Sequence, residues 1–349
     1  MALVHSRAPL SVLRSLRQAI VPCAWMGLVA CGSTPPVSEV PLPVPTPVLV
    51  TDVYVAGSES NETHYVAMVW KNGVATRLTD GTQDAYARSV AVSGSDIYVA
   101  GNDGNVATVW KNGVATRLTD GTQFAAANSL AVSGSDIYVA GLESNGRRWV
   151  ATVWKNGVAT RLTDGTRDAE AASVAVSGSD VYAAGDEIYY PTSVPTLWRN
   201  GVATHLTFGI NGQAYSAAVS GSDVYVAGWQ SSGTIWVPMV WNNGAATQLA
   251  AGGMARFVGV SSGDVYVAGH KTDATQMVAV VWKNGIVTPL ATTLSTAYSV
   301  AVSGSDVYVA GRLGYVATVW KNGVAKPLTD GNHDATATSV FVLSHWSDR

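Results

Sequence analysis

The stretch VWKNGVATRLTDGT occupies residues 69–82 and returns letter for letter at 109–122 and 153–166. Looser copies are centred on Trp198, Trp241, Trp282 and Trp320, and Asn-Gly stands two residues after every one of these tryptophans. Asn-Gly supplies the positive φ angles that a two-residue type I′ hairpin demands, so the phrase reads as strand, tight turn, strand. Upstream of each copy runs Asp-(Val/Ile)-Tyr-(Val/Ala)-Ala-Gly, starting at Asp52, Asp96, Asp136, Asp180, Asp223, Asp264 and Asp306. Seven units spaced by about 40 residues indicate a solenoid, a propeller or an array.

Each unit resolves into four short strands. In the second unit these are SVAVS (89–93), DIYVAG (96–101), VATVW (106–110) and VATRLT (114–119). All are β-branched and bounded by turn residues, and no segment carries a competing helical period. Four strands per unit of this length make one propeller blade. The first unit lacks its first strand, and the chain ends on an unpartnered one at 339–343. That offset closes a ring and leaves no free edge, which a solenoid would not need. The expectation is all-β: a seven-bladed β-propeller of four-stranded antiparallel blades over 51–349, closed by strand 339–343.

Residues 1–30 read as an export signal. Arg7, Arg14 and Arg17 precede the apolar run AIVPCAWMGLVA (19–30), too short to span a bilayer as a helix. The run leads to Leu28-Val29-Ala30-Cys31, which resembles a bacterial lipobox, with Cys31 as the lipidated residue. The alternative is an ordinary secretory signal cut nearby. Gly32 in place of Asp resembles the pattern of outer-membrane sorting in a Gram-negative host. Cys23 and Cys31 are the two cysteines, so the mature chain would carry no free thiol for a disulfide or a thiolate metal site. Cleavage shifts the formal charge from −3 to −6. Residues 31–50 combine the lipidated cysteine with a proline-rich spacer of extended character. With no block of like charge, nothing points to nucleic acid.

The whole chain from 51 to about 343 resembles exported bacterial proteins built of YVAG…WKNG propeller repeats. The resemblance implies fold and envelope location, and no activity. Trp-Asp pairs of WD repeats and sialidase Asp-boxes are absent, and Gly-His and Gly-Gly occur once each (Gly269-His270, Gly252-Gly253) instead of recurring per unit as WD and kelch repeats need.

The repeated Trp and Tyr are expected in the core between blades, and the repeated Asp in turn structure. An Ala before every first strand (Ala87, Ala127, Ala171, Ala214, Ala255, Ala297, Ala337) is expected where inner strands crowd the channel. The Asn-Gly and Ser-Gly turns share one face. The other face carries loops that differ between blades, among them SESNETHY (58–65), LESNGRRW (142–149), DEIYYPTS (186–193) and WQSSGTIW (229–236). A constant scaffold with one variable loop face is how binding proteins are commonly built.

Two variable columns are the candidate sites. Four of seven residues just before the third strand are aromatic, Tyr65, Trp149, Trp236 and Tyr315, suited to a sugar ring or a protein partner. At the start of the inner strand stand Arg88, Tyr215, Arg256 and Tyr298 with Asn128, Ala172 and Thr338, near Tyr86, Glu170 and Gln213. The function expected is a lipid-anchored, monomeric, non-catalytic module binding a glycan or protein at the cell envelope, with no cofactor and no metal. The alternative is a glycan-active hydrolase or lyase at the channel mouth. The pairs Asp80/Asp84, Asp164/Asp168 and Asp330/Asp334 are too few carboxylates for calcium, and the histidines show no zinc spacing.

Overall fold

The computed structural model describes residues 47–272 and 276–347. The signal at 1–30, the lipidated Cys31 and residues 32–46 of the spacer lie outside the described residues. The described chain folds into seven four-stranded antiparallel sheets, one per repeat. Blades two to seven are residues 85–117, 125–161, 169–205, 212–248, 253–289 and 295–327. Blade one takes three strands from 48–77 and its innermost from the last strand, Ala335–Ser347. That strand pairs with Val48–Ser60 from Val48↔Ser347 to Glu59↔Ala335. The ring is therefore closed as expected, by a longer strand than 339–343, and the first strand starts at Val48.

The repeat phrase maps onto the blade as third strand, turn and outer strand. Asn112 has φ 51° and Gly113 φ 83°, both positive as a type I′ turn needs. The seven tryptophans are at most 1% exposed. Each packs between blades: Trp110 of blade two meets Tyr54 and Ala56 of blade one, and Trp70 of blade one meets Tyr308 and Ala310 of blade seven.

The repeated Asp is structural, and its main partners are side chains of the neighbouring turn. Asn112 donates Nδ2–H to Asp96 Oδ1 at 2.8 Å, and Asn112 Oδ1 accepts the Ile97 amide at 2.8 Å. Lys111 Nζ lies 2.7 Å from Asp96 Oδ2 and 5.4 Å from the Tyr98 ring centre. The lysine and asparagine together hold the Asp96 carboxyl below its ordinary range. This clamp ties the two hairpins of a blade at the turn face.

A second ring of contacts joins the blades at the channel. Ser89 Oγ accepts the Leu130 amide of the next blade at 3.2 Å, and Ser129, Ser173, Ser216, Ser299 and Ser339 repeat the contact. Blade six has Phe257 at this position.

Candidate functional site

Every inner strand carries a bulge. In blade two Ala87 pairs Gly101 and Ser89 pairs Ala100, so Arg88 has no partner across the ladder. The same skip falls at Asn128, Ala172, Tyr215, Arg256, Tyr298 and Thr338. A bulge re-aims the side chain it leaves unpaired. The Gly of each YVAG phrase sits opposite, where a Cβ on Gly101 would collide with the Tyr86 carbonyl oxygen and one on Gly185 with that of Glu170. The repeat thus fixes the bulge and leaves the bulged residue free to vary.

The repeated Ala lies on the crowded inner strand, where a small residue is expected. Ala87 and its equivalents are fully buried in the cores between blades, and it is the bulged residues that line the channel. Arg88, Tyr215, Arg256 and Tyr298 meet at one cavity of about 120 Å³, together with Asn128 and Thr338. The Arg256 guanidinium carbon lies 5.3 Å from the ring centres of both Tyr215 and Tyr298, on the blades before and after it. Arg256 Nη2 contacts Met254 Sδ at 3.6 Å, and its buried Nε has no hydrogen-bond partner among the described residues. Arg88 Nε donates to Asn102 Oδ1 at 3.2 Å, and its guanidinium lies 5.6 Å from the Tyr86 ring centre.

Beside the cavity sits an acidic pair that spans two strands of blade four, Glu170 opposite Asp186. Burial, with Asp186 adding to it, pushes the Glu170 carboxyl up to about 7 against the opposing pull of Arg88. Burial likewise raises Asp186 to about 6, opposed by hydrogen bonds from Ser193 and Gln213. Ser193 Oγ donates to Asp186 at 2.5 Å, and Asn128 Nδ2 reaches Glu170 Oε1 at 3.3 Å. His270 is 2% exposed, and burial with Arg256 nearby lowers it to about 4, so it is neutral.

Read from sequence, Asp186 and Trp229 are only the first residues of variable loops, and His270 is not singled out. Each directly follows the Gly of its YVAG phrase, as do Ser58, Asn102 and Leu142, and all six are at most 6% exposed. A position that varies immediately after an invariant core phrase was the available signal. Trp229 connects the two columns. Its Nε1–H lies 3.0 Å from the Tyr215 hydroxyl, and its ring centre lies 5.4 Å from that of Trp236.

The aromatic column divides. Trp149, Trp236 and Tyr315 are 47%, 53% and 67% exposed on the loop face. Tyr65 is tied down instead: its hydroxyl donates to Asp334 at 2.7 Å and its ring centre is 5.3 Å from that of Tyr86. Trp149 borders a basin of about 290 Å³ with Arg147, Arg148 and Asp168. Arg148 pairs with Asp168 at 2.8 Å, and Asp168 also accepts the Trp149 amide. Tyr190, Phe208, Ile210 and Leu294 are further exposed apolar residues of these loops, which the sequence reading did not single out.

The carboxylate pairs have other duties. Asp80 caps the Thr82 amide and hydroxyl, and Asp84 accepts the Tyr65 amide. Among the described residues no group of three or more His, Cys, Asp or Glu is placed to hold a metal ion. Clefts of about 190–280 Å³ also lie between the outer parts of neighbouring blades, lined by the repeated Tyr, Val and Lys.

No protein-family model matches the chain, and no curated protein matches it. Solved structures do. An acylaminoacyl peptidase from Pyrococcus horikoshii superposes with a TM-score of 0.50 at 13% identity, over 83% of this chain and 53% of the peptidase. The propeller domain of the Trilobed protease from Pyrococcus furiosus gives a TM-score of 0.49 at 11% identity, over 80% of this chain and 95% of the domain. TolB from Acinetobacter baumannii gives 0.44 at 11% identity, over 85% of this chain and 67% of that one. This chain spans about half the length of the peptidase, and at such identities the likeness concerns the propeller fold alone.

Proposed function

We propose that this chain is a non-catalytic binding module of the bacterial cell envelope that recognises a glycan or protein through its loop face. The observation that carries the reading is the contrast in aromatic exposure. The seven repeat tryptophans are at most 1% exposed, whereas Trp149, Trp236 and Tyr315 stand 47–67% exposed at one equivalent position of three blades. Exposed aromatic rings on a rigid scaffold are the residues that anchor partners. The basin beside Trp149 offers a ring face with arginine and carboxylate groups, as a saccharide needs. Elsewhere in the loops, the exposed Phe208, Ile210, Ile235 and Leu294 would suit the broader footprint of a protein.

Anchoring belongs to the same reading. The first described strand enters on the turn face and runs to the loop face. A chain tethered through a lipid on Cys31, as in the exported repeat proteins it resembles, would hold its loop face away from the membrane. Among the described residues no helix is long and apolar enough to cross a bilayer. The module acts as a monomer in this reading, and its formal charge of −6 after cleavage, with no block of like positive charge, gives nucleic acid no basic groove.

A second reading, a glycan-active hydrolase or lyase at the channel mouth, draws on the meeting of Arg88, Arg256, Tyr215 and Tyr298 beside Glu170. Its cavity of about 120 Å³ is well below the roughly 300–1,000 Å³ of ordinary ligand pockets, which favours binding over turnover of a sugar.

The test is a glycan array and an envelope pull-down with wild type and the double variant Trp149→Ala, Trp236→Ala. The variant is expected to fold, since both side chains are exposed, and to lose binding by about tenfold or more. Binding that survives both substitutions counts against the loop face.

A further inference from the structure

Two arginines of the channel have no ion-pair partner among the described residues. Arg148, Arg199 and Arg312 each find a carboxylate within 3.1 Å, but neither Arg88 nor Arg256 has one within 4.0 Å among the described residues. Both are part-buried where solvent compensation is incomplete, and a buried charge is ordinarily paired. Glu170, whose charge is felt at Arg88, is pushed up to about 7 by burial and lies outside the cavity lining. Asp186 accepts from Ser193 and likewise lies outside the lining, and His270 is neutral. The cavity lining itself thus contains two guanidinium groups and no carboxylate.

Its shape narrows what can answer that charge. Aromatic rings from blades five and seven approach the Arg256 guanidinium. That leaves the in-plane N–H groups as the usable donors, and these match the planar fork of a carboxylate. The thioether of Met254, a weak acceptor, is the partner of Nη2. The Tyr298 hydroxyl has no hydrogen bond among the described residues, whereas that of Tyr215 is committed to Gln213 at 2.8 Å. Ala172, the smallest of the seven bulged residues, leaves room on the side of blade four. At about 120 Å³ the cavity is below the roughly 300–1,000 Å³ of ordinary ligand pockets, which favours a compact ligand.

We propose that the channel mouth is a binding site for a small free carboxylate, held by Arg256 and Arg88 with the Tyr298 hydroxyl as a third donor. The cavity lining includes none of the exposed aromatic residues of the loop face, Trp229 and Trp236 being its link to them, and the site does not rest on the partner proposed for them.

The experiment is a melt of the full chain at pH 7 against rising sodium acetate, with sodium chloride and sodium sulfate at matched ionic strength. A bound ligand raises the melting temperature with the logarithm of its concentration above Kd. Acetate is expected to do so beyond chloride and sulfate. Arg256→Gln should weaken acetate by about tenfold or more, the loss of a charge-assisted hydrogen bond, Tyr298→Phe by less, and Trp149→Ala not at all. Should Arg256→Gln fail to fold, Arg88→Gln and Tyr298→Phe probe the same cavity. An acetate effect no larger than that of chloride overturns the proposal, as does equal acetate stabilisation in the folded arginine variants. A larger response to sulfate than to acetate overturns the carboxylate assignment.

Discussion

Gly185 and its equivalents decide where the channel side chains point. The absent Cβ lets the inner strand bulge toward the second strand, and the bulged residue turns into the channel. Gly185→Ala should force that strand apart and cost about 1–3 kcal/mol or more, as overpacking does; a denaturation midpoint equal to wild type would contradict it. Glu170 gives a pH prediction. Its folded pKa of about 7 stands above its ordinary 4.5, so the folded state binds the extra proton. The stability this contributes is full below about pH 4.5 and is lost as pH rises to about 7. Asp186, raised to about 6 from 3.8, acts in the same direction. The lowered carboxyls of Asp96, Asp136 and Asp306 act oppositely, their contribution being lost as pH falls below about 4. Melting temperature should therefore peak in mildly acidic solution, and Glu170→Gln should flatten the decline from pH 5 to 8. A slope unchanged in that variant would show that Glu170 is not its source. Tyr65 shows how far residue type alone carries: it belongs to the aromatic column in sequence, yet a hydrogen bond to Asp334, 269 positions away in the chain, ties its hydroxyl down.

Within a blade, the strands were legible because every turn carries its own chemistry. Asn112-Gly113 specifies one hairpin, and Gly94 with φ 59° the hairpin between inner and second strands. The bulge was not legible, since its cause is a steric relation between two strands rather than a local preference. The inner strand consequently begins at Ala85, four residues before the expected Ser89. Trp154 is fully buried against Tyr98 and Ala100 of the preceding blade. Trp154→Ala should cost about 3–5 kcal/mol through the cavity left behind, measured by chemical denaturation; an unchanged midpoint would remove it from the core. The outer strands, such as Val114–Arg117, are exposed along all four residues. Their shortness limits the unpaired edge that each blade offers to other chains.

Across the whole molecule, closure depends on one strand. Removing residues 335–349 would strip blade one of its inner strand and take away Ser339, which bonds the Val90 amide. The truncated chain should lose cooperative unfolding and aggregate through the edge of Val48–Ser60; a soluble monomer with a wild-type melt would contradict the closed ring. This closure could be read from the offset between the first and last repeats, whereas the meeting of Arg88 with Arg256 could not. They lie 168 residues apart in sequence, and only the ring brings blades two and six around one channel. The central claim is that differences between blades, gathered on the loop face, carry recognition. The most direct measurement is site-specific photocrosslinking in the native envelope, with the photoreactive residue at Trp236 or Tyr315 on the loop face, or at Lys111 or Lys155 on the turn face. Adducts are predicted from the loop-face positions and not from the turn-face positions. Adducts from Lys111 or Lys155 with none from Trp236 or Tyr315 would contradict it.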